Sequence, residues 1–325
     1  MFSSKASLIK LYRWQLGQAL AVLAVVSLFA NHAIAAIVVT DDAQIRVELQ
    51  QPAKRIGTLA PFLTELVYAA DAGKQLVGVS AFSDYPPAAK SIPVIADYQG
   101  VAVESLLATK PDLVLAWQTG NRPQDIVRLK ALGIPVVQFE LKTLADIPRA
   151  ITKIALLAGV SGQPQAVTDF EFRLAILTKK MSDKVNAAQQ NQLKPQAVRY
   201  FLPIERMPLM TLSGAHIVSK ALAVCGGENI FANALALAPV VDKEGIVAGN
   251  PEIIFVSAAS AGRDALRAPL GDGLSALPVA AIKNKQIFGL NADWLMRPTP
   301  RMLGAVESAC AAMNLVRETR MQSTK

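Results

Sequence analysis

Between Pro164 and Leu193 the chain has no glycine and, after Pro164 itself, no proline. Val167, Phe170, Leu174, Leu177, Met181 and Val185 recur there at steps of three and four. The spacing predicts one long helix with a narrow apolar stripe, opened by a proline suited to the first turn and stopped by Pro195. At 1.5 Å per residue such a helix is about 40 Å long, the span of a small domain. A helix of that length is either a coiled-coil arm or a spine laid across two lobes. A single stripe, present once and at the centre of the chain, predicts the spine.

The flanks fit that reading. Ahead of the helix, apolar β-branched runs at residues 55–59, 76–80, 113–117 and 135–139 alternate with helical patterns at 64–70, 103–108, 124–132 and 144–158. Behind it, strand-like runs at 197–202, 253–256 and 286–290 alternate with helical runs at 217–225 and 301–317. Short continuous apolar strands spaced by helices predict parallel sheets covered on both faces. The expected fold is therefore α/β. Two Rossmann-like lobes, residues 36–163 and 195–325, are joined by a single long α-helix at 164–194, with a ligand cleft between the lobes.

One phrase occurs in both halves: ESLLATKPDLVLAW at 104–117 and EGIVAGNPEIIFVS at 244–257. Each opens on a glutamate (Glu104, Glu244), places a proline seven residues on (Pro111, Pro251), adds an acid (Asp112, Glu252), and then runs apolar. The pattern predicts a short helix, ended by the proline, and then the next strand. A carboxylate at a helix opening is favoured by the helix dipole, which is reason enough for one such glutamate. If the lobes are related by a pseudo-twofold, two placed alike emerge on one face, and that predicts a partner for them.

Residues 1–35 are set apart from the fold. Lys5, Lys10 and Arg13 precede an apolar stretch at 19–30 and the small-residue site AIAA at 33–36, the pattern of a secretory signal peptide. The stretch is short for a membrane span, no twin arginine precedes it, and no cysteine follows the cleavage site to take a lipid anchor. A soluble exported protein is expected. Removing the segment lowers the formal net charge of +8 by three. The surplus is spread thinly, a solvated surface and not a nucleic-acid stripe. In an oxidising compartment the two cysteines, Cys225 and Cys310, suggest one disulfide, worth at most roughly 4–5 kcal/mol for so long a loop; two buried free thiols are the other reading.

No catalytic set is evident, and the expectation is a protein that is not an enzyme. Outside the leader His216 is the only histidine, too few for a zinc site with three or four ligands, and no G-x-S-x-G, P-loop or G-x-G-x-x-G is present. His216 is expected to cap a helix, Gly226-Gly227 to end one, and Asp242 and Glu244 to lie at a solvated turn. Aromatic residues make up only 6 % of the chain, yet Phe82, Tyr85, Tyr98, Trp117 and Trp294 fall where strand-like segments end. Loops on a rigid scaffold are where binding residues concentrate. A cleft protein is the expectation.

TLAPFLTELVYAA at 58–70, VGVSAFSDYPPAAK at 77–90, YQGVAVESLLATKPDLVLAW at 98–117, VCGGENIF at 224–231 and ADWLMRPTPR at 292–301 carry a resemblance. The chain resembles the periplasmic cobalamin-binding proteins of ABC importers, and more broadly the helical-backbone substrate-binding proteins for cobalamin, haem and siderophores. The resemblance spans nearly all of the chain behind the leader; its FSDYPP and CGGENIF blocks are specific, the KPDLV strand less so. It implies a corrinoid carried in the cleft as transported ligand, with no cofactor and no bound metal of the protein's own, and a monomer in the periplasm. It implies that Phe82, Tyr98, Trp117, Asp293, Trp294, Leu295, Met296 and Arg297 line the ligand. It further implies that Glu104 and Glu244 dock on arginines of the transporter permease and that Cys225 and Cys310 are bonded. The family pattern has tyrosine at Phe82, tryptophan at Tyr98 and Ala238, and phenylalanine at Leu209 or Met210. Lost aromatic contacts imply weaker binding or another corrinoid, such as an incomplete precursor. A haem or ferric-siderophore protein is the alternative; haem would take an axial ligand from Tyr85, Tyr98 or His216.

Overall fold

The structure, a computed structural model, describes residues 36–190, 197–258, 270 and 273–323. The expected signal peptide lies outside these residues, as do 191–194 of the expected linking helix. The chain first forms a hairpin that the apolar runs did not announce, β1 (Ile37–Thr40) against β2 (Arg46–Leu49). Acids at its turn dock it. The Asp41 carboxylate accepts from the amides of Ile45 and Gln138, and Asp42 from that of Glu140 at 2.7 Å.

The first lobe follows as β3 (Ile56–Thr58), α1 (Pro61–Ala69), β4 (Leu76–Ser80), β5 (Val94–Asp97), β6 (Gly100–Val101), α2 (Val103–Ala108), β7 (Leu113–Trp117), α3 (Pro123–Ala131), β8 (Val136–Phe139) and α4 (Asp146–Ala158). Its strands lie in the order β6-β5-β4-β3-β7-β8, parallel except for the β5–β6 pair. Every residue of β8 and all of β7 but Trp117 are buried, which is why β7 shows as an unbroken apolar run and β8 as one interrupted only by Gln138. The chain fills the sheet outward from β3 on one side, then crosses to β7 on the other. Sheets of this kind hold ligands outside the carboxyl ends of the strands at that reversal.

The spine is α5 (Gln165–Gln190). It buries Val167 and Phe170 and half-buries Leu174, Leu177 and Met181, as the stripe predicts; the side chain of Val185 lies outside those described. The second lobe comprises β9 (Val198–Phe201), β10 (Glu205–Arg206), β11 (Leu209–Met210), α6 (Ile217–Ala223), β12 (Gly227–Asn229), α7 (Lys243–Gly249), β13 (Ile253–Ala258), α8 (Ala280–Lys283), β14 (Ile287–Asn291), α9 (Ala292–Met296) and α10 (Met302–Ser323). Its sheet runs β12-β9-β13-β14, all parallel, so the same reversal occurs between β9 and β13.

The lobes do not have wholly separate cores. One apolar cluster runs from Leu63, Leu66 and Ile151 through Val167 and Phe170 of the spine to Tyr200, Leu222, Val306 and Met313. Only the outer faces have cores of their own, around Ile95, Leu106 and Val114 in the first lobe and Phe201, Ile246 and Ile254 in the second. Cys225, just past α6, is bonded to Cys310 of α10, with the Cα atoms 5.0 Å apart. Arg173 of the spine holds Glu307 of α10 through two hydrogen bonds of 3.1 and 2.9 Å. Both partners of that pair are half-exposed, so it adds little stability beside the shared core.

Candidate functional site

The two copies of the repeated phrase occupy matching places. In each, a short helix feeds a strand beside the first strand of its lobe: α2 leads into β7 next to β3, and α7 into β13 next to β9. A helix that feeds a parallel strand must begin at the carboxyl edge of the sheet. Glu104 and Glu244, in the first turns of α2 and α7, therefore stand on the same edge as the strand-end loops. Both are exposed, and neither carboxylate has a hydrogen-bond or ion-pair partner among the described residues.

The acid after the proline has a structural task in both copies. Asp112 accepts from the backbone amides of Lys54 (2.8 Å) and Arg55 (2.9 Å), and Glu252 from that of Arg199 (3.1 Å). Each thus holds the entry to the first strand of its lobe. Arg55 turns back onto the Thr109 and Lys110 carbonyls at the end of α2, while Arg199 and Arg320 pair with Glu252. The prolines do not themselves end the helices, contrary to the sequence expectation. Lys110 and Asn250, just ahead of them, take left-handed backbone with φ of 46° and 38°, and that conformation breaks the helix.

Phe82, Tyr98 and Trp117 arrive at the carboxyl edge from three strand ends. Phe82 follows β4 and is 77 % exposed, with φ of 63°. A bulky residue rarely holds that backbone without support. Support lies beneath it in a chain of buried hydroxyls: Thr58 to Thr64 at 2.7 Å, Thr64 to Ser83 at 2.9 Å, and Ser80 to Ser83 at 3.2 Å. Tyr98, 86 % exposed, sits in the β5–β6 turn. That turn is held from α3, where Arg122 donates to the Gln99 carbonyl and Asp125 accepts from the Val101 amide. Trp117 ends β7 and is 40 % exposed. Its amide donates to Asn121 Oδ1 at 2.6 Å, and Asn121 Nδ2 donates to the Leu59 carbonyl, which bridges the strand reversal. The indole meets the Phe62 ring edge-on at 5.7 Å and covers Gly120, where a Cβ would come within 1.9 Å of the ring.

The segment 293–297 divides. Leu295 is buried in the core. Trp294 packs on Gly304 of α10, where a Cβ would lie 2.8 Å from the indole. Asp293 and Met296 are exposed. Arg297 reaches across to the first lobe, where NH1 donates to Asp84 Oδ1 at 2.7 Å and to Glu65 Oε1 at 3.2 Å; its NH2 lies 3.2 Å from Asp293. Arg301 grips the same Glu65, with Nε 2.9 Å from Oε2, while its guanidinium lies 3.9 Å over the Tyr85 ring. Burial alone would raise the Asp84 carboxyl, but the hydrogen bond and charge of Arg297 outweigh it and hold the group below the usual carboxylate value. Asp84 and Arg301 belong to the strand-end segments 81–87 and 291–301 that the sequence offers for the cleft; Glu65 is the functional candidate that the sequence reading missed. Glu65 carried a signal, a charge on the helix face occupied by Phe62 and Leu66.

Elsewhere the expectations resolve into structure. His216 caps α6, accepting the Val218 amide at Nδ1, and burial pushes its pKa below the ordinary value, which suits a neutral acceptor. Asp242 caps α7 through the Gly245 amide at 2.8 Å. Gly226, with φ of 68°, follows the end of α6. In the second lobe the exposed apolar side chains include Met207 at the β10–β11 turn, Leu235, Leu237 and Val240, while Ala238 is partly packed into the core. Residues 237–241 run beside 209–213, the Val241 amide donating to the Leu209 carbonyl and the Ser213 amide to that of Leu237. A cavity of about 220 Å³, lined by Pro203, Glu205, Val256 and Ser257 among others, opens at the carboxyl ends of β9 and β13.

Known proteins resemble this chain in sequence and fold. A family model described as periplasmic binding protein matches residues 56–294. The vitamin B12-binding protein of Vibrio cholerae serotype O1 is 36 % identical over 272 residues, 82 % of this chain and 91 % of its own. The crystal structure of the periplasmic vitamin B12 binding protein BtuF of Vibrio cholerae matches with a TM-score of 0.70, covering 82 % of this chain and 98 % of that one at 36 % identity. A periplasmic heme-binding protein, BhuT in complex with two hemes, has a TM-score of 0.63 at 21 % identity over 81 % of this chain and 99 % of its own, a likeness of fold.

Proposed function

We propose, from the premise that the chain belongs to the periplasmic binding protein family, that it captures cobalamin or a related corrinoid and delivers it to an inner-membrane ABC transporter. The observation that carries this reading is the set of exposed aromatic side chains, Phe82, Tyr98 and Trp117, gathered at one carboxyl edge. A corrin is a broad, mostly apolar plate rimmed by amides. Aromatic side chains cover such a plate at low entropic cost, and a few polar groups fix its orientation. On this reading Asp293, Met296 and Arg297 meet the ligand from the second lobe, Trp294 and Leu295 support them from beneath, and Met207 and Leu237 replace the aromatic rim of the wider family. The ligand is cargo, bound and released unchanged, so the chain is a carrier and not an enzyme.

The division of labour follows the sequence boundaries: a leader at 1–35, lobes at 36–163 and 195–325, and a linking helix at 164–194. We place the processed protein in the periplasm as a soluble monomer without a lipid anchor. No helix of the described residues is long and apolar enough to cross a membrane. Haem is the second reading within the family. Its axial ligand would come from Tyr85 or Tyr98, both exposed, since His216 Nδ1 is used as a helix cap. Titrating purified protein with cyanocobalamin, cobinamide, haemin and a ferric siderophore, read by heat or tryptophan fluorescence, decides the ligand. Binding by haemin or the siderophore alone would overturn the corrinoid reading.

Glu104 and Glu244 are assigned to permease docking. Two exposed carboxylates at matched positions fix the orientation of an encounter and speed it more than they tighten it. The double variant Glu104→Ala, Glu244→Ala should retain ligand affinity within about twofold, because each carboxylate is solvated and outside the aromatic cluster. Transporter-dependent uptake should fall steeply. Loss of ligand binding in that variant would return both residues to the cleft or the fold.

A further inference from the structure

The charges where the lobes meet carry a second message, which rests on the corrinoid reading and narrows it. Arg297 and Arg301 face Glu65, Asp84 and Asp293, two positive charges against three negative. Glu65 is buried, and its carboxylate is shared by both arginines. Asp84 and Asp293 are exposed, each held by Arg297 on one oxygen. A guanidinium has five N–H donors. Those of Arg297 already point at three carboxylates, and the plane of Arg301 is covered by Tyr85. The exposed polar groups of the cluster are the carboxylates of Asp84 and Asp293, which accept hydrogen bonds and repel anions.

We propose that Asp84 and Asp293, backed by Glu65, select a ligand rimmed by neutral amides and reject one rimmed by carboxylates. A primary amide brings two N–H donors that the exposed carboxylates can accept without displacing Arg297. A ligand carboxylate would have to compete for a guanidinium already committed, beside two like charges. Placing a repulsive element against the wrong ligand is a common source of specificity. The cluster would thus separate an intact corrinoid from hydrolysed corrinoids and from haem, whose propionates are anionic.

The test uses two matched ligand pairs, measured by titration calorimetry at low and high salt. One pair is cyanocobalamin and its monocarboxylic acids, made by hydrolysing single peripheral amides; the other is haemin dimethyl ester and haemin. In the unaltered protein the weakest-binding monocarboxylic acid should bind about tenfold less tightly than cyanocobalamin, a like-charge penalty that shrinks as salt screens it. In Asp84→Asn, Asp293→Asn that gap should close to within about threefold. Equal or tighter binding of every acid by the unaltered protein, or an unchanged gap in the variant, overturns the proposal. If neither corrinoid binds, the corrinoid reading fails, and the charge rule is decided on the second pair. Tighter binding of the ester than of haemin then supports it, and the reverse overturns it. Binding of none of the four overturns both.

Discussion

Truncating Glu65 to alanine is expected to destabilise the protein by about 3 kcal/mol, because breaking a buried ion pair leaves its partners uncompensated. Glu65 is only 4 % exposed, and its two oxygens serve Arg297 and Arg301 of the opposite lobe. Removal of one partner of a buried pair costs about 3–5 kcal/mol in general. The lower figure applies here because the arginine side chains are 15 % and 19 % exposed, and water recovers part of their solvation. Glu65→Gln should cost less, since the amide oxygen can still accept one guanidinium hydrogen bond. Thermal unfolding followed by circular dichroism should show a fall of roughly 4–6 °C for the alanine variant. A fall below about 2 °C would mean that the cluster does not hold the lobes together.

The second large effect concerns the ligand. Trp117→Ala should weaken cyanocobalamin binding about 30-fold, the equivalent of 2 kcal/mol at an aromatic hot spot. Three features single out this residue. It sits at the strand reversal, it is braced by Phe62 and lies close over Gly120, and Asn121 fixes its amide. The exposed apolar side chains of the second lobe include Met207, Leu235, Leu237 and Val240, none of them aromatic, so the first-lobe aromatics carry a larger share of the contact. Trp117→Phe keeps a ring over Gly120 and should recover most of the loss. Affinity of Trp117→Ala within about threefold of the unaltered protein would take Trp117 out of the binding surface.

Legibility in the sequence followed burial. β7 and β8 are covered on both faces and appear as apolar runs broken only by Gln138, so they were readable. β2 alternates exposed and buried over only four residues, and β6, β10 and β11 are two residues long, too short to establish any period. At the site, residues that matter by exposure were visible: Phe82, Tyr98 and Trp117 were conspicuous in a chain poor in aromatics. Residues that matter by partnership were not. Asp112 acts on amides 57 and 58 positions away, and Glu65 on arginines 232 and 236 positions away, separations over which no local pattern extends. The burial of Leu295 was not legible for the same reason, since which side of α9 the core claims depends on α10.

The clamps at the far ends of α2 and α7 bear on how a docked partner would be felt. Arg55 and Asp112 pin the last turn of α2 to β3, and Glu252 with Arg199 and Arg320 pins the strand that follows α7 to β9. The glutamates stand at the opposite ends, tied to the neighbouring strand-end turns through the Ala102 amide on the Ile95 carbonyl and the Val241 amide on the Leu209 carbonyl. Each helix is therefore a short lever with its fulcrum at the amino edge of the sheet and its handle at the carboxyl edge. Beside the handle of α2 lies the turn that carries Tyr98, and beside that of α7 the Leu209–Val241 ladder behind Met207. A pull on Glu104 and Glu244 would tilt the handles and shift those two turns, leaving the sheets and the shared core in place.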